Sequence, residues 1–257
     1  MTGKLVVRGI VVGLLAGLLA AVFAYVVGEP RIDQAIALEE AAASLPAAEP
    51  HSHEAAGSVS HSHGAAEAGA HSHGEEGLVS RGGQRFGLFL ALGLYGVAVG
   101  GLFALVYAAL RGRAGPRSEP VLAVALAGAA FAAIVLVPFV KYPANPPAVG
   151  DPATINQRTV LYLVAVAVGI LSVAAGAATH RYASAAEPWL RWLAAGAAVL
   201  VPVAAAWILL PEIAEVPEGF PADLLWDFRV ASLGTQAVFW TGVGALFAFA
   251  ARRRSPV

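Results

Sequence analysis

Three histidine pairs lie close together between residues 51 and 73. Each pair is a His-Ser-His unit, and the first histidines of the units, His51, His61 and His71, are ten residues apart. Neutral imidazole is a good ligand for cobalt, nickel, zinc and copper(II). Both histidines of such a unit point the same way in an extended segment, so a flexible chain can fold several units around one ion. The predicted metal ligands are His51, His53, His61, His63, His71 and His73.

The residues between the histidine pairs are Ala, Gly, Ser, Val and Glu, a composition that does not build a core. Residues 30–80 are therefore predicted to form a flexible, solvated loop. For its first stretch, EPRIDQAIALEEAAASL at 29–45, a short interfacial helix is the alternative interpretation. The competing interpretation is a polar spacer in which histidine is incidental, but the threefold repetition favours metal capture. The histidines alone do not identify the ion, because such sites prefer copper(II), nickel or zinc to cobalt. Only deprotonated histidine binds a metal, so capture should fail below about pH 6.

The composition is that of an integral membrane protein. Apolar residues make up 58% of the chain, charged residues only 13%, and the mean hydropathy is +0.70. There is no cysteine and Met1 is the only methionine, which excludes disulfides, iron–sulfur clusters and thiolate zinc sites. No nucleotide-binding loop and no hydrolase-like group of residues occurs, so we expect no enzymatic activity. Neither a prosthetic group nor a nucleic-acid partner is expected.

Six apolar runs are each long enough to cross about 30 Å of hydrocarbon. They cover residues 5–27, 86–110, 120–140, 159–179, 189–210 and 229–250. The first run is longer than the apolar region of a cleaved signal peptide, which favours an uncleaved anchor. The fold expected is an all-α integral membrane protein in which six transmembrane helices form a single bundle.

The basic residues predict the orientation of this bundle. An orientation with both termini in the cytoplasm makes the chain three hairpins in tandem and places the histidines outside. All acidic residues except Glu119 and Glu187 then lie outside as well, so the outer face should attract cations. The predicted cytoplasmic basic residues are Lys4, Arg8, Arg111, Arg113, Arg117, Arg181, Arg191, Arg252, Arg253 and Arg254.

Polar residues of the second and third outer loops, and of the sixth span, are the second group of candidates. The spacing of Arg229, Ser232 and Gln236 puts them on one helical face, where both a functional role and helix–helix hydrogen bonding are open. The loop carboxylates either line an oxygen-rich mouth or remain solvated. The residues of the predicted vestibule or pathway are Asp151, Asn156, Glu212, Glu215, Asp223, Asp227, Arg229, Ser232 and Gln236.

Four stretches of the chain resemble the CbtA family of probable cobalt transporter subunits. They are EEGLVSRGGQR at 75–85, KYPANPPAVGDP at 141–152, INQRTVLY at 155–162 and EVPEGFPADLLWDFRVASLGTQ at 215–236. The resemblance extends over essentially the full length. It implies a subunit in the bacterial inner membrane that supplies cobalt for cobalamin synthesis, usually beside a small single-span partner, CbtB.

The chain is thus expected to concentrate Co²⁺ on an outer histidine loop and to pass it through the bundle, by way of a vestibule near residues 141–158 and 212–229. Lys141, Arg158 and Arg229 would hinder a cation there unless carboxylates pair with them. One alternative keeps transport but changes the ion to Ni²⁺ or Zn²⁺. The other is a membrane-anchored metal-binding accessory or sensor that does not transport. The expected partners are the lipid bilayer and a CbtB-like subunit. Association into a homo-oligomer is a further alternative.

Overall fold

The computed structural model describes residues 2–44 and 80–252. Every regular element in these residues is helical, and six helices are long and apolar enough to cross a membrane. They are α1 (Thr2–Ala43), α2 (Arg81–Leu110), α3 (Glu119–Lys141), α4 (Pro152–Ala185), α5 (Pro188–Leu209) and α6 (Ala222–Arg252). The predicted all-α fold with six spans is confirmed for this part of the chain.

The first helix is longer than the span predicted from hydropathy. Residues Glu29–Ala43 continue α1, so the start of the predicted loop is helical as far as residue 43, in agreement with the alternative of a short helix there. This helix is continuous with the first span. This extension is rich in Ala and Glu, which favour helix, and Pro30 occupies its first turn, where proline is tolerated. Hydropathy did not extend the first span over this stretch, because charged and polar residues interrupt its apolar positions.

Two of the helices contain a π-turn that ends two residues before a proline. In α1 the turn is Ala24–Gly28, ahead of Pro30, and in α3 it is Ala132–Leu136, ahead of Pro138. Proline has no N–H and its ring collides with the carbonyl of the preceding turn, so a locally wider turn relieves the conflict. Both turns lie towards the end of the bundle at which α1 ends and α2 begins, which we call the histidine-segment end.

The helix pairs with the closest backbones form a row in the order α5, α4, α3, α6, α1, α2. The row is curved, so aromatic side chains of α2 also reach α6. The sixth helix lies between α1 and α3, and α5 packs mainly on α4 at the edge of the bundle. Exchanging α1 with α4, α2 with α5 and α3 with α6 gives the same order read from the other end of the row. Each half has three spans, an odd number, so the second half begins on the side of the membrane opposite to the start of the first. The two halves would therefore have opposite orientations, as in transporters built from inverted repeats. The halves contact each other where α3 meets α4, where α3 meets α6 and where α6 meets α1.

The core contains large aromatic residues from α2 and α6. Phe103 and Tyr107 of α2 meet Phe247 of α6, with ring centres 5.2 and 4.8 Å apart. Phe239 and Trp240 extend the same cluster along α6, and all five residues are buried. Side chains of α1 and α3 complete it, so these four helices form the centre of the bundle.

Glycines bring α1 and α2 into direct backbone contact. A Cβ added at Gly13 would lie 2.0 Å from the carbonyl oxygen of Gly96, and one added at Gly100 would lie 2.1 Å from that of Gly9. Gly17 meets the backbone of Leu92 in the same way. The contact pairs run in opposite directions along the two helices, so α1 and α2 are antiparallel. Close approach of this kind is how small residues associate helices in membranes.

Candidate functional site

The six histidines predicted to bind metal lie outside the described residues, so their arrangement stays a prediction. The structure does describe the two helices that their segment connects. Ser44 follows the last turn of α1, and the Ser80 hydroxyl caps the start of α2 by accepting the Gly83 N–H at 3.2 Å. Residues 45–79 therefore begin and end at the same end of the bundle, on two helices that touch along their length.

Four charged residues join α1 to the first turns of α2. The Glu29 carboxylate accepts a hydrogen bond from Arg81 at 3.0 Å and one from Arg85 at 3.4 Å. Asp33 is bonded to the same two arginines, at 3.0 Å in the case of Arg85. The Glu29 side chain is only 9% exposed, which makes it the centre of the cluster. Because both carboxylates are engaged by guanidinium groups, they fix the helices and are not free metal ligands.

This charged cluster was not predicted, although the sequence contains a signal for it. Glu29 and Asp33 are four residues apart, and so are Arg81 and Arg85, so each pair lies on one face of its helix. A short helix at 29–45 was one interpretation of the sequence, but the sequence did not show that this helix packs beside the start of α2.

A second set of contacts joins the two loops at the histidine-segment end. Glu215 accepts hydrogen bonds from the Thr154 hydroxyl at 2.6 Å and from the backbone N–H of Asp151 at 2.9 Å. Its carboxylate also lies 3.5 Å from Arg158 Nε. The Thr154 bond, then the Asp151 N–H and the nearby Arg158 charge, hold the pKa of Glu215 below its ordinary value.

The pKa of Glu215 is lower in the folded protein than in the unfolded chain. The contacts of Glu215 therefore stabilise the fold at any pH above its pKa in the unfolded chain, and this stabilisation is lost as the pH falls through its pKa in the folded protein. Glu215→Gln is therefore expected to lower the melting temperature by a few degrees at neutral pH and to flatten its decline below about pH 4.5. The exposed Glu218 gives the matched control, Glu218→Gln, which should behave as wild type. Identical acid profiles for wild type and Glu215→Gln would contradict the assignment.

A cavity of about 380 Å³ opens between α3, α4 and α6 at the same end. Its apolar wall includes Val135, Phe139 and Leu233. Its polar lining consists of Lys141, Tyr142, Asn145, Arg158, Tyr162, Arg229, Ser232 and Gln236. The lining thus holds three basic side chains, and no Asp or Glu of the described chain is among the residues that form it.

Arg229 projects into this cavity from α6. Its Nη2 donates a hydrogen bond to Asn145 Oδ1 at 2.9 Å, while its buried Nε has no hydrogen-bond partner in the described chain. No carboxylate of residues 2–44 or 80–252 lies within ion-pair distance of Arg229. Two turns further along α6, the buried Oε1 of Gln236 also has no partner there. Arg229, Ser232 and Gln236 share one helix face, and all three line the cavity.

The other basic residues of the lining have carboxylate neighbours outside the cavity. Lys141, whose side chain is 8% exposed, has its ammonium 3.9 Å from Glu212 and 5.4 Å from the ring centre of Trp207. Arg158 lies beside Glu215, as described above. Glu212 is 85% exposed, so it screens Lys141 only weakly.

The carboxylates of the predicted vestibule do not converge on one point. Asp227 faces Arg31 of α1 at 3.7 Å, and Asp151 caps the first turn of α4 by accepting the Ala153 N–H. Asn156 and Asp223 are exposed. Within residues 2–44 and 80–252, no group of three or more His, Asp or Glu side chains is placed to hold a metal ion. In the described part, these residues act mainly as loop and helix contacts.

The chain was also compared with known proteins. The model of the family described as "Probable cobalt transporter subunit (CbtA)" matches residues 2–252, which include all six membrane helices. No curated protein and no solved structure matches the chain significantly.

Proposed function

Because the chain belongs to the CbtA family of probable cobalt transporter subunits, we propose that it takes up Co²⁺ across the bacterial inner membrane for cobalamin synthesis. The observation that carries the proposal is the extent of the family match, since residues 2–252 contain the complete set of membrane helices. The six helices, long and apolar enough to cross a membrane, are consistent with a multi-pass membrane protein.

The first step of the proposed mechanism is capture of the ion by the histidines of residues 51–73. We propose that the histidine-segment end of the bundle faces outside and that both termini are cytoplasmic, as the basic residues at the opposite end favour. The charged cluster around Glu29 supports this role, because it fixes the start of α2, where the histidine segment ends, against α1.

The second step is movement of the ion into the bundle. A divalent cation that moves inward gains about 4.6 kcal/mol per 100 mV of membrane potential, so uptake needs no nucleotide hydrolysis. The proposed entrance lies near residues 141–158 and 212–229. The pairing of Lys141 with Glu212 and of Arg158 with Glu215 supports a structural role for these two cations.

A second protein is part of the proposal, because the family is described as a transporter subunit. We propose a small single-span partner of the CbtB type within the lipid bilayer. Most of the α5 surface faces away from the bundle, which leaves room for lipid or protein beside it.

Reconstitution into liposomes tests the proposal. We expect saturable uptake of radiolabelled Co²⁺ that increases with an inside-negative potential and exceeds uptake by protein-free liposomes, measured with and without the partner subunit. Parallel assays with Ni²⁺ and Zn²⁺ identify the preferred ion. Binding of metal without accumulation, even when the partner is present, would instead favour an accessory or sensor protein.

A further inference from the structure

We propose that the cavity lined by Arg229 is a binding site for a small oxyanion, of the carboxylate or phosphate class. The inference does not depend on which metal the protein transports, or on whether it transports one. It rests on the charge, the free hydrogen-bond donors and the position of the cavity.

The charge of the lining excludes a bare cation as the natural occupant. Three basic side chains, Lys141, Arg158 and Arg229, line the cavity, and no Asp or Glu of the described residues does. Glu212 and Glu215 lie near the first two, so Arg229 contributes the charge that has no carboxylate within ion-pair distance in the described chain. Apolar walls strengthen the field of these groups, because less water is present to screen them. The guanidinium of Arg229 needs a negative partner most, since a charge inside a helix bundle is stable only when paired or hydrated.

The hydrogen-bonding groups of the cavity match an oxyanion. A guanidinium has five N–H donors and no acceptor, and its planar fork fits carboxylate and phosphate oxygens. Arg229 uses Nη2 for Asn145, while its buried Nε has no partner within the described chain. The Ser232 hydroxyl lies along the same face of α6 and offers a further donor, whereas the buried Gln236 Oε1 is an acceptor.

The size and the position of the cavity limit what can enter. A volume of about 380 Å³ is at the lower end of the range of small-molecule sites, which suits a tricarboxylate or a phosphate headgroup. The cavity lies where α3 meets α6, at the interface between the two three-helix halves.

The test uses the full chain in nanodiscs of phosphatidylcholine, without cobalt. Citrate and inorganic phosphate are titrated separately at constant ionic strength against chloride, and the melting temperature is followed. We expect a saturable rise for wild type. Arg229→Gln should weaken the apparent affinity about tenfold or more, whereas Arg252→Gln, at the exposed end of the same helix, should not change it.

Two additional experiments identify the source of the anion and allow for the case in which Arg229→Gln does not fold. If a lipid headgroup is the occupant, nanodiscs with phosphatidylglycerol should raise the melting temperature of wild type but not of Arg229→Gln, and added phosphate should then have no further effect. Asn145→Ala removes only the neutral partner of Arg229 and should retain binding, which keeps the test valid if Arg229→Gln does not fold. The proposal is overturned if wild type responds to no oxyanion more than to chloride, or if Arg229→Gln and wild type respond equally.

Discussion

Gly96→Leu is expected to separate α1 from α2 and to destabilise the bundle by about 3 kcal/mol or more. Even a single Cβ at this position would lie 2.2 Å from the carbonyl oxygen of Gly13, a distance that no rotamer of a side chain can relieve. The helices would have to move apart, which removes the packing that associates them in the membrane. Unfolding of the reconstituted protein, followed by circular dichroism during titration with a denaturing detergent, measures the effect.

A matched pair of alanine variants on α2 isolates the contact from the change in helix propensity. Gly96→Ala and Gly87→Ala gain the same preference for helix, about 1 kcal/mol, but the position of a Cβ at Gly87 has no atom within 4 Å. Gly87→Ala should therefore be neutral or slightly stabilising, and Gly96→Ala clearly destabilising. Equal stabilities for the two variants would show that the α1–α2 contact contributes little.

The number and the approximate positions of the membrane helices could be predicted from the sequence, because length and hydropathy alone define a span. The ends could not. Residues 29–43 extend α1 as a helix of mixed polarity, and no apolar run marks their boundary. Hydropathy indicates which residues lipid surrounds. A helix can extend beyond those residues, as far as helix propensity and local contacts allow.

The neighbours of each helix could not be predicted. Glycine and alanine are frequent in nearly all six spans, so their abundance predicts close packing without indicating which helices meet. Gly169 of α4, for example, packs against the backbone of Ala133 of α3, whereas Gly9 packs against α2. The order of the row, with α6 between α1 and α3, follows from the shapes of whole helix faces.

The chemistry of the loops was predicted by residue type but not by arrangement. Counting carboxylates suggested an acidic entrance, yet Glu215 bonds to the opposite loop and Asp227 faces Arg31. The side chains that turn inward include Arg229, which makes the cavity basic. Which residues of a loop turn inward depends on backbone turns such as the one at Gly150, where φ is +122°, and composition does not encode them.

The two proposals are physically compatible. A divalent cation near Arg229 would be repelled by its guanidinium, but an oxyanion bound there would neutralise that charge. The same anion has oxygen atoms that can share a hard or borderline metal ion. The cavity would then admit the metal ion only when the anion is bound. Electrostatics alone would in this way couple anion binding at Arg229 to entry of the metal ion.

Replacement of all six histidines by alanine is expected to reduce Co²⁺ uptake about tenfold or more at low external cobalt, because the variant loses its capturing ligands. Uptake at high external cobalt should persist, since the bundle is unchanged. The variant combines His51→Ala, His53→Ala, His61→Ala, His63→Ala, His71→Ala and His73→Ala. Initial rates of radiolabelled Co²⁺ uptake over a range of concentrations, in proteoliposomes with an inside-negative potential, measure the effect.

The matched control replaces the serine at the centre of each histidine unit, as Ser52→Ala, Ser62→Ala and Ser72→Ala, and should transport as wild type does. Free imidazole has a pKa of about 6.5, so the advantage of wild type over the histidine variant should disappear below about pH 6. A histidine variant that matches wild type at low cobalt and neutral pH would rule out capture by this segment. One that also loses uptake at high cobalt would mean that the segment is part of the transport route itself.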